Sequence, residues 1–296
     1  MNAKADDTVS RETDLPHRSA QDHVSRETAL PRRLVIVNQK GGVGKTTTAV
    51  NLAVALAQEG QRVLVCDLDP QGNASTALGI EHRSGTPSSY EVLLDQDPIA
   101  EHAQQSPESE NLWVLPATID LAGAEIELVP QVAREQRLLK ALRKYEARQE
   151  LDFVLFDCPP SLGLLTLNAL VAATEVLVPI QAEYYALEGL TALMRTISLV
   201  KEELNPELQI TGVVLTMFDA RTKLATQVGE EVKKHFPNEM LQTIVPRSVR
   251  MSEAPSYGQT IFTYDPQSVG AKAYRKVALE IMARGPQAAG KAKRGR

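Results

Sequence analysis

The run Val37-Asn38-Gln39-Lys40-Gly41-Gly42-Val43-Gly44-Lys45-Thr46-Thr47-Thr48 concentrates more chemistry than any other stretch of the chain. It follows an apolar segment and opens a helix-like one, the setting in which a glycine-rich loop can cradle phosphate. Gly41, Gly42 and Gly44 reach backbone angles closed to other residues and let amide groups approach phosphate oxygens. Val43 and Thr47 lie in the same cradle. Lys45 supplies a point charge near the β- and γ-phosphates, and the Thr46 hydroxyl can ligate Mg²⁺. The helix start adds unpaired N–H groups and a positive dipole end. Against the pattern G-x-x-x-x-G-K-[ST], Gln39 replaces the first glycine and an additional lysine, Lys40, sits in the loop. The run reads as a site for a nucleoside triphosphate with Mg²⁺.

Two carboxylate clusters suit the same chemistry. The apolar run Val63–Cys66 ends in Asp67-Leu68-Asp69-Pro70-Gln71-Gly72-Asn73, and Phe153–Phe156 ends in Asp157-Cys158-Pro159-Pro160. In open α/β sheets ligands sit at the carboxyl ends of strands, so these aspartates share a crevice with the loop. One carboxylate is needed to hold Mg²⁺ through water and another to orient the attacking water. For Asp67, capping of the following turn is an equal alternative. A guanine-specific site would carry Asn-Lys-x-Asp after a late strand. Here that strand ends Thr216-Met217-Phe218-Asp219, without the lysine, which favours adenine.

The elements that position these residues alternate. Strand-like apolar runs appear at Leu34–Val37, Val63–Cys66, Leu112–Leu115, Phe153–Phe156, Val176–Ile180, Ile210–Leu215 and Leu241–Val245. Helix-like segments include Thr46–Gln58, Glu188–Leu204, Thr222–His235 and Gly270–Met282. Continuous apolar strands between helices predict a single doubly wound, mostly parallel sheet with helices on both faces. That α/β domain is expected over 32–284, between a disordered tail at 1–31 and a short basic tail at 285–296. Cys66 and Cys158 read as small buried strand residues, and two cysteines exclude a disulfide scaffold.

The chain has 296 residues and a net charge of −5, with 43% hydrophobic and 23% charged residues. That balance argues against a strongly basic nucleic-acid binder. It averages two unlike parts, however. Residues 1–220 hold 18 basic and 31 acidic side chains, whereas 221–296 hold 14 basic and 6 acidic. Such a split marks either a polyanion-facing end or an accident of surface composition. No apolar stretch approaches the ~20 residues of a membrane span, and the N-terminus lacks signal-peptide character. A cytoplasmic location is expected.

The residues resemble the deviant Walker A class of P-loop NTPases, the MinD/ParA superfamily, and within it the ParA/Soj chromosome-partitioning ATPases. The resemblance is carried by KGGVGKTTT, DLDPQGN at 67–73, LAGAEIELVP at 121–130 and DCPPSLGLLTLNAL at 157–170. EYYALEGL at 183–190, TMFDART at 216–222 and VPRSVRMSEAPSYG at 245–258 continue it in order. It implies an ATPase using ATP and Mg²⁺. Lys40 would reach across a homodimer interface to the partner's nucleotide. Asp69 would position the hydrolytic water, Asp157 would hold Mg²⁺ through water, and Met217, Pro246 and Arg247 would lie near the adenine. The ATP dimer of the family binds double-stranded DNA without sequence preference, which places such proteins on the nucleoid. Its DNA-contact arginines match Arg221 and Arg250, both inside the basic block. A ParB/Spo0J-type centromere-binding protein would stimulate hydrolysis and release the DNA.

The tail carries the word Val9-Ser10-Arg11-Glu12-Thr13 again as Val24-Ser25-Arg26-Glu27-Thr28. The family's centromere-like palindrome, GTTTCACGTGAAAC, encodes Val-Ser-Arg-Glu-Thr in one frame. The tail is therefore read as two translated partner-binding DNA sites, against a peptide docking motif or coincidence. A MinD-like membrane-cycling regulator is the rival function. It would need an amphipathic C-terminal helix, and Pro286–Arg296 has no apolar face. An iron–sulfur enzyme on the same fold would need cysteines free to ligate a cluster.

Overall fold

In a computed structural model, the structure describes residues 30–183 and 188–284. Both tails, including the repeated word and the basic C-terminal segment, lie outside the described residues.

Seven strands form one sheet: β1 (Arg32–Ile36), β2 (Val63–Asp67), β3 (Gln104–Gln105), β4 (Leu112–Leu115), β5 (Phe153–Asp157), β6 (Glu175–Gln181) and β7 (Gln209–Thr216). Their spatial order is β3-β4-β2-β5-β1-β6-β7. Every pairing is parallel except β3 with β4. The chain runs outward from β1 to one edge through β2 and β4, then to the other through β6 and β7. That reversal beside β1 opens the crevice in which such sheets bind ligands.

The helices are α1 (Lys45–Gln58), α2 (Asn73–Ala77), α3 (Ser89–Leu94), α4 (Ile99–His102), α5 (Leu121–Glu127), α6 (Arg137–Glu146), α7 (Leu164–Ala172), α8 (Glu188–Glu203), α9 (Lys223–His235), α10 (Val249–Glu253), α11 (Ile261–Tyr264) and α12 (Val269–Arg284). Successive strand residues face opposite sides, so every strand except β3 supplies two cores. Val35, Leu64, Phe156, Val178 and Leu215 pack beneath α3, α5, α6, α7, α8 and α9. Leu34, Ile36, Val65, Leu155 and Val214 pack beneath α1, α2, α10, α11 and α12. Helix α1 is buried over most of its length, because α12 covers the side turned away from the sheet. The Thr48 and Tyr274 hydroxyls join these two helices at 3.1 Å.

The predicted α/β architecture is the observed one, with two differences. Leu241–Val245 is not a strand of the sheet. Leu241 N donates to Val213 O at 2.8 Å and Val245 N to Leu215 O at 2.8 Å, but the residues between are partly or fully exposed and join no ladder. The segment follows β7 through the isolated bridges Val213–Met240 and Phe218–Pro246. Strand β3 has no apolar pattern to announce it: both its residues are glutamine. Cys66 and Cys158 are buried and free, as expected.

Candidate nucleotide and metal site

The phosphate loop joins β1 to α1. Gly44, at φ 83°, occupies the N-cap of α1 in a left-handed conformation that favours glycine. Two contacts from distant residues fix the loop. Asn38, almost fully buried, donates from Nδ2 to Pro179 O at 2.8 Å and accepts from Lys40 N at 3.0 Å. Thr216, at the end of β7, donates from Oγ1 to Val43 O at 2.8 Å.

The two lysines of the loop are treated differently. Lys45 is buried, and its Nζ donates to Lys40 O at 3.3 Å. Burial lowers its pKa, while the charges of Asp157 and Asp69 act to raise it. Lys40 is about a third exposed, and its Nζ lies 2.9 Å from Glu183 Oε2 at the end of β6.

Asp67 and Asp157 are register partners at the carboxyl ends of β2 and β5, and both are fully buried. They face different surroundings. Asp67 Oδ1 accepts from Asp69 N at 3.1 Å; Oδ2 accepts from Ser75 N at 2.9 Å and Ser75 Oγ at 2.7 Å. Of the two sequence readings for Asp67, the observed bonds are those of a turn cap. Neither buried oxygen of Asp157 has a well-formed hydrogen bond. Burial and the neighbouring Asp67 push its pKa well above the carboxylate range, against the opposing influence of Thr46 and Lys45. A buried carboxylate with open lone pairs, facing a threonine hydroxyl and a lysine, fits residues that would hold Mg²⁺ beside nucleotide phosphates. Asp69 is half-buried, near enough to Lys45 to affect its pKa, and its Oδ1 accepts from Gln71 N at 3.0 Å.

Beside the loop, a cavity of about 260 Å³ is lined by residues that include Gly44, Thr47, Met217, Arg247 and Tyr274. Met217 holds φ 51°, rare for a side chain of its size, at the turn that leaves β7. Pro246 adjoins this wall through its bridge to Phe218, but the cavity lining does not include it. The cavity suits a flat base at the far end of a nucleotide whose phosphates lie on Gly41–Thr46.

The same bridge sets the segment that carries Arg221 beside the one that carries Arg250. Arg247 N donates to Phe218 O at 3.0 Å, which sets the Asp219–Thr222 turn beside the segment leading into α10. Arg221 is highly exposed and paired to Asp219 at 2.7 Å. Arg250 lies over the Tyr264 ring at 5.9 Å, near Glu253 and Asp265.

Comparison with known proteins places the chain in a family. An AAA domain family model matches residues 32–210. The sporulation initiation inhibitor protein Soj of Bacillus subtilis is 54% identical over 252 residues, covering 85% of this chain and 98% of Soj. The chain belongs to the ParA/Soj family of chromosome-partitioning ATPases. The chromosome partitioning protein ParA of Myxococcus xanthus is also 54% identical, covering 86% of this chain and 88% of that protein. Among solved structures, cobyrinic acid a,c-diamide synthase of Mycobacterium smegmatis with bound ADP and magnesium superposes with TM-score 0.74 at 39% identity, over 85% of this chain and 94% of that one. MinD of Pyrococcus horikoshii complexed with Mg-ADP gives 0.67 at 27% identity, over 85% and 96%. The doubly wound ATPase fold predicted from the motifs is thus the family's.

Sequence reasoning missed Asn38, Ser75, Thr216 and Glu183 as parts of the site. Asn38 had a signal, since it lies one residue before the altered loop. Thr216 and Glu183 reach the loop from more than a hundred residues away, and Ser75 braces Asp67 from the start of α2.

Proposed function

We propose that the protein is an ATP-gated DNA-binding switch for chromosome or plasmid segregation, with residues 32–284 as the working domain. The observation that carries this reading is the division between the two loop lysines. Lys45 is buried within its own phosphate site, whereas Lys40 is about a third exposed and pairs, among the described residues, with a half-exposed Glu183. A lysine so placed can serve the nucleotide of a second copy, so that ATP closes two copies face to face. In that dimer Gly41–Thr47 would wrap the phosphates, and Asp157 with Thr46 would hold Mg²⁺, which would supply neutralisation of phosphate charge. Asp67 braces the turn that carries Asp69, and Asp69 orients the attacking water. Met217, Pro246 and Arg247 border the adenine.

Two copies would also align two basic edges. Arg221 and Arg250 of each would hold phosphates of double-stranded DNA without reading its sequence. A ParB-type partner would accelerate hydrolysis, and loss of the dimer would release the DNA. The protein would then reside on the nucleoid while ATP lasts. The repeated tail word would be a passenger of DNA sites in the gene, and synonymous codons that break both palindromes would refute that.

Sedimentation of Lys40→Ala tests the central claim. The variant is expected to bind ATP as a monomer and to form no ATP-dependent dimer. A normal dimer would overturn the trans role of Lys40.

A further inference from the structure

We propose that His82 is a positioning residue for ATP hydrolysis, acting through the Thr76 hydroxyl to fix the turn that carries Asp69. The inference rests on the reading that Asp69 orients the attacking water.

The Asp69–Gly72 turn is tied to itself at two points. Gly72 N donates to Asp69 O at 2.8 Å, and Gln71 N donates to Asp69 Oδ1 at 3.0 Å. A shift of Gly72 therefore moves the Asp69 backbone, and a shift of Gln71 moves its carboxylate. Gly72 is buried, holds φ 61° and caps α2. Its carbonyl accepts from Thr76 N at 2.9 Å and from Thr76 Oγ1 at 3.1 Å. Thr76 Oγ1 in turn lies 2.7 Å from His82 Nε2. A hydroxyl has one proton. With that proton on Gly72 O, the oxygen is free to accept from His82, so Nε2 carries the hydrogen. The chain runs His82 Nε2–H to Thr76 Oγ1–H to Gly72 O.

His82 also meets the turn directly. A Cβ placed on Gly72 would lie 2.5 Å from His82 Nδ1 and 2.6 Å from Cε1, with Ala117 O at 3.1 Å. The imidazole thus covers Gly72 while its other nitrogen secures the Gly72 carbonyl. The turn is held on its sheet side by buried Asp67, through Asp69 N and Ser75. On its outer side it is held by half-exposed His82 and exposed Thr76. The first anchor belongs to the core. The second can be removed without opening the core, and the freedom gained falls on Asp69 and its neighbours. A small misplacement of a water-orienting carboxylate slows the chemical step without weakening phosphate binding.

The test is steady-state hydrolysis of Mg-ATP by the full chain, with amide hydrogen exchange of residues 69–76. His82→Phe keeps a ring over Gly72 and removes the donor; Thr76→Val removes the relay; Thr76→Ser retains it. His82→Phe and Thr76→Val are each expected to lower kcat about fivefold, the scale of one lost hydrogen bond, with KM unchanged. The double variant should be no worse than Thr76→Val alone, and Thr76→Ser should match the parent. The Gln71 and Gly72 amides should exchange faster in both single variants. Parental kcat and exchange in His82→Phe and Thr76→Val would overturn the proposal. Asp69→Ala, run alongside, separates the two readings. If it hydrolyses ATP at the parental rate, the role of Asp69 falls and amide exchange alone decides whether His82 fixes the turn.

Discussion

Asp67 and Asp157 have the same side chain, adjacent registers and complete burial, yet different chemistry, because one is saturated with donors and the other is open. Three hydrogen bonds make Asp67 a brace for the turn that carries Asp69. Among the described residues Asp157 has only the weaker influence of Thr46 and Lys45, and a buried carboxylate so poorly compensated is costly unless a cation neutralises it. Its raised pKa sets the sign of a pH effect. The folded state keeps this proton to higher pH than the unfolded chain does, so stability falls as pH climbs from the unfolded value near 3.9 through the raised folded value. Asp157→Asn removes that ionisation. Without nucleotide and Mg²⁺, the variant should melt about 2–4 °C above the parent at neutral pH, on the scale of ~1 kcal/mol. The gap should close toward pH 4, and the variant should lose Mg²⁺-dependent hydrolysis. Thermal melts across pH check the first claim, and an unchanged or lower melting temperature at neutral pH would contradict it.

The strands divide stability from function by their two ends. The carboxyl ends of β1, β2 and β5 hold the site, and the opposite ends hold charge pairs that lock the sheet. Glu175, fully buried at the start of β6, accepts from Arg32 Nε and Nη2, each at 2.7 Å, and from Thr211 Oγ1 at 2.6 Å. Arg32 also donates to Ile281 O at 2.7 Å and lies over the Phe153 ring, so β1, β6, β7 and α12 meet there. Glu175→Ala leaves a largely buried guanidinium without its counter-charge. It should cost about 3 kcal/mol, read as a lower urea midpoint, with ATP affinity of the folded fraction unchanged. A loss of ATP affinity at full folding would show that the two ends are coupled. The same division explains what was legible. Doubly buried parallel strands announce themselves as apolar runs, and the glycines of the loop announce a close approach of backbone to phosphate. Leu241–Val245 misled because its apolar ends pack against β7 while Gln242 and Ile244 face solvent, so composition mimics a strand where only two residues dock. Thr216 was hidden for a different reason: its bond to Val43 spans 173 positions, and no local pattern encodes such a pairing.

At the scale of the whole molecule, net charge says little about a surface whose charges are divided unevenly along the chain. Of the 14 basic residues in 221–296, ten fall within the described part and face 6 acidic ones, so the excess near Arg221 and Arg250 is modest. The arginines are also engaged already. Arg221 Nε and Nη2 reach the two oxygens of Asp219 at 2.8 and 2.7 Å, and Arg221 holds the Asp219 carboxyl down at about 2. Asp219 is therefore ionised throughout the neutral range, and a DNA phosphate at Arg221 would have to compete with it for the same guanidinium. In the proposed ATP dimer, one weak, self-screened patch should bind poorly, whereas two aligned patches would add their contacts. If Arg221 and Arg250 of both copies each neutralise one phosphate, log K should fall against log salt with a slope of about −4, and Arg250→Glu should reduce its magnitude by at least about 2. Asp219→Ala removes the competitor. It should raise ATP-dependent DNA affinity, most at low salt where the carboxylate competes with least screening, and leave ADP-state binding weak. Filter binding across a salt series with each nucleotide measures all three. An Asp219→Ala variant with parental affinity would mean that Arg221 does not meet the phosphates, and would leave the DNA edge to Arg250 and its neighbours on α10.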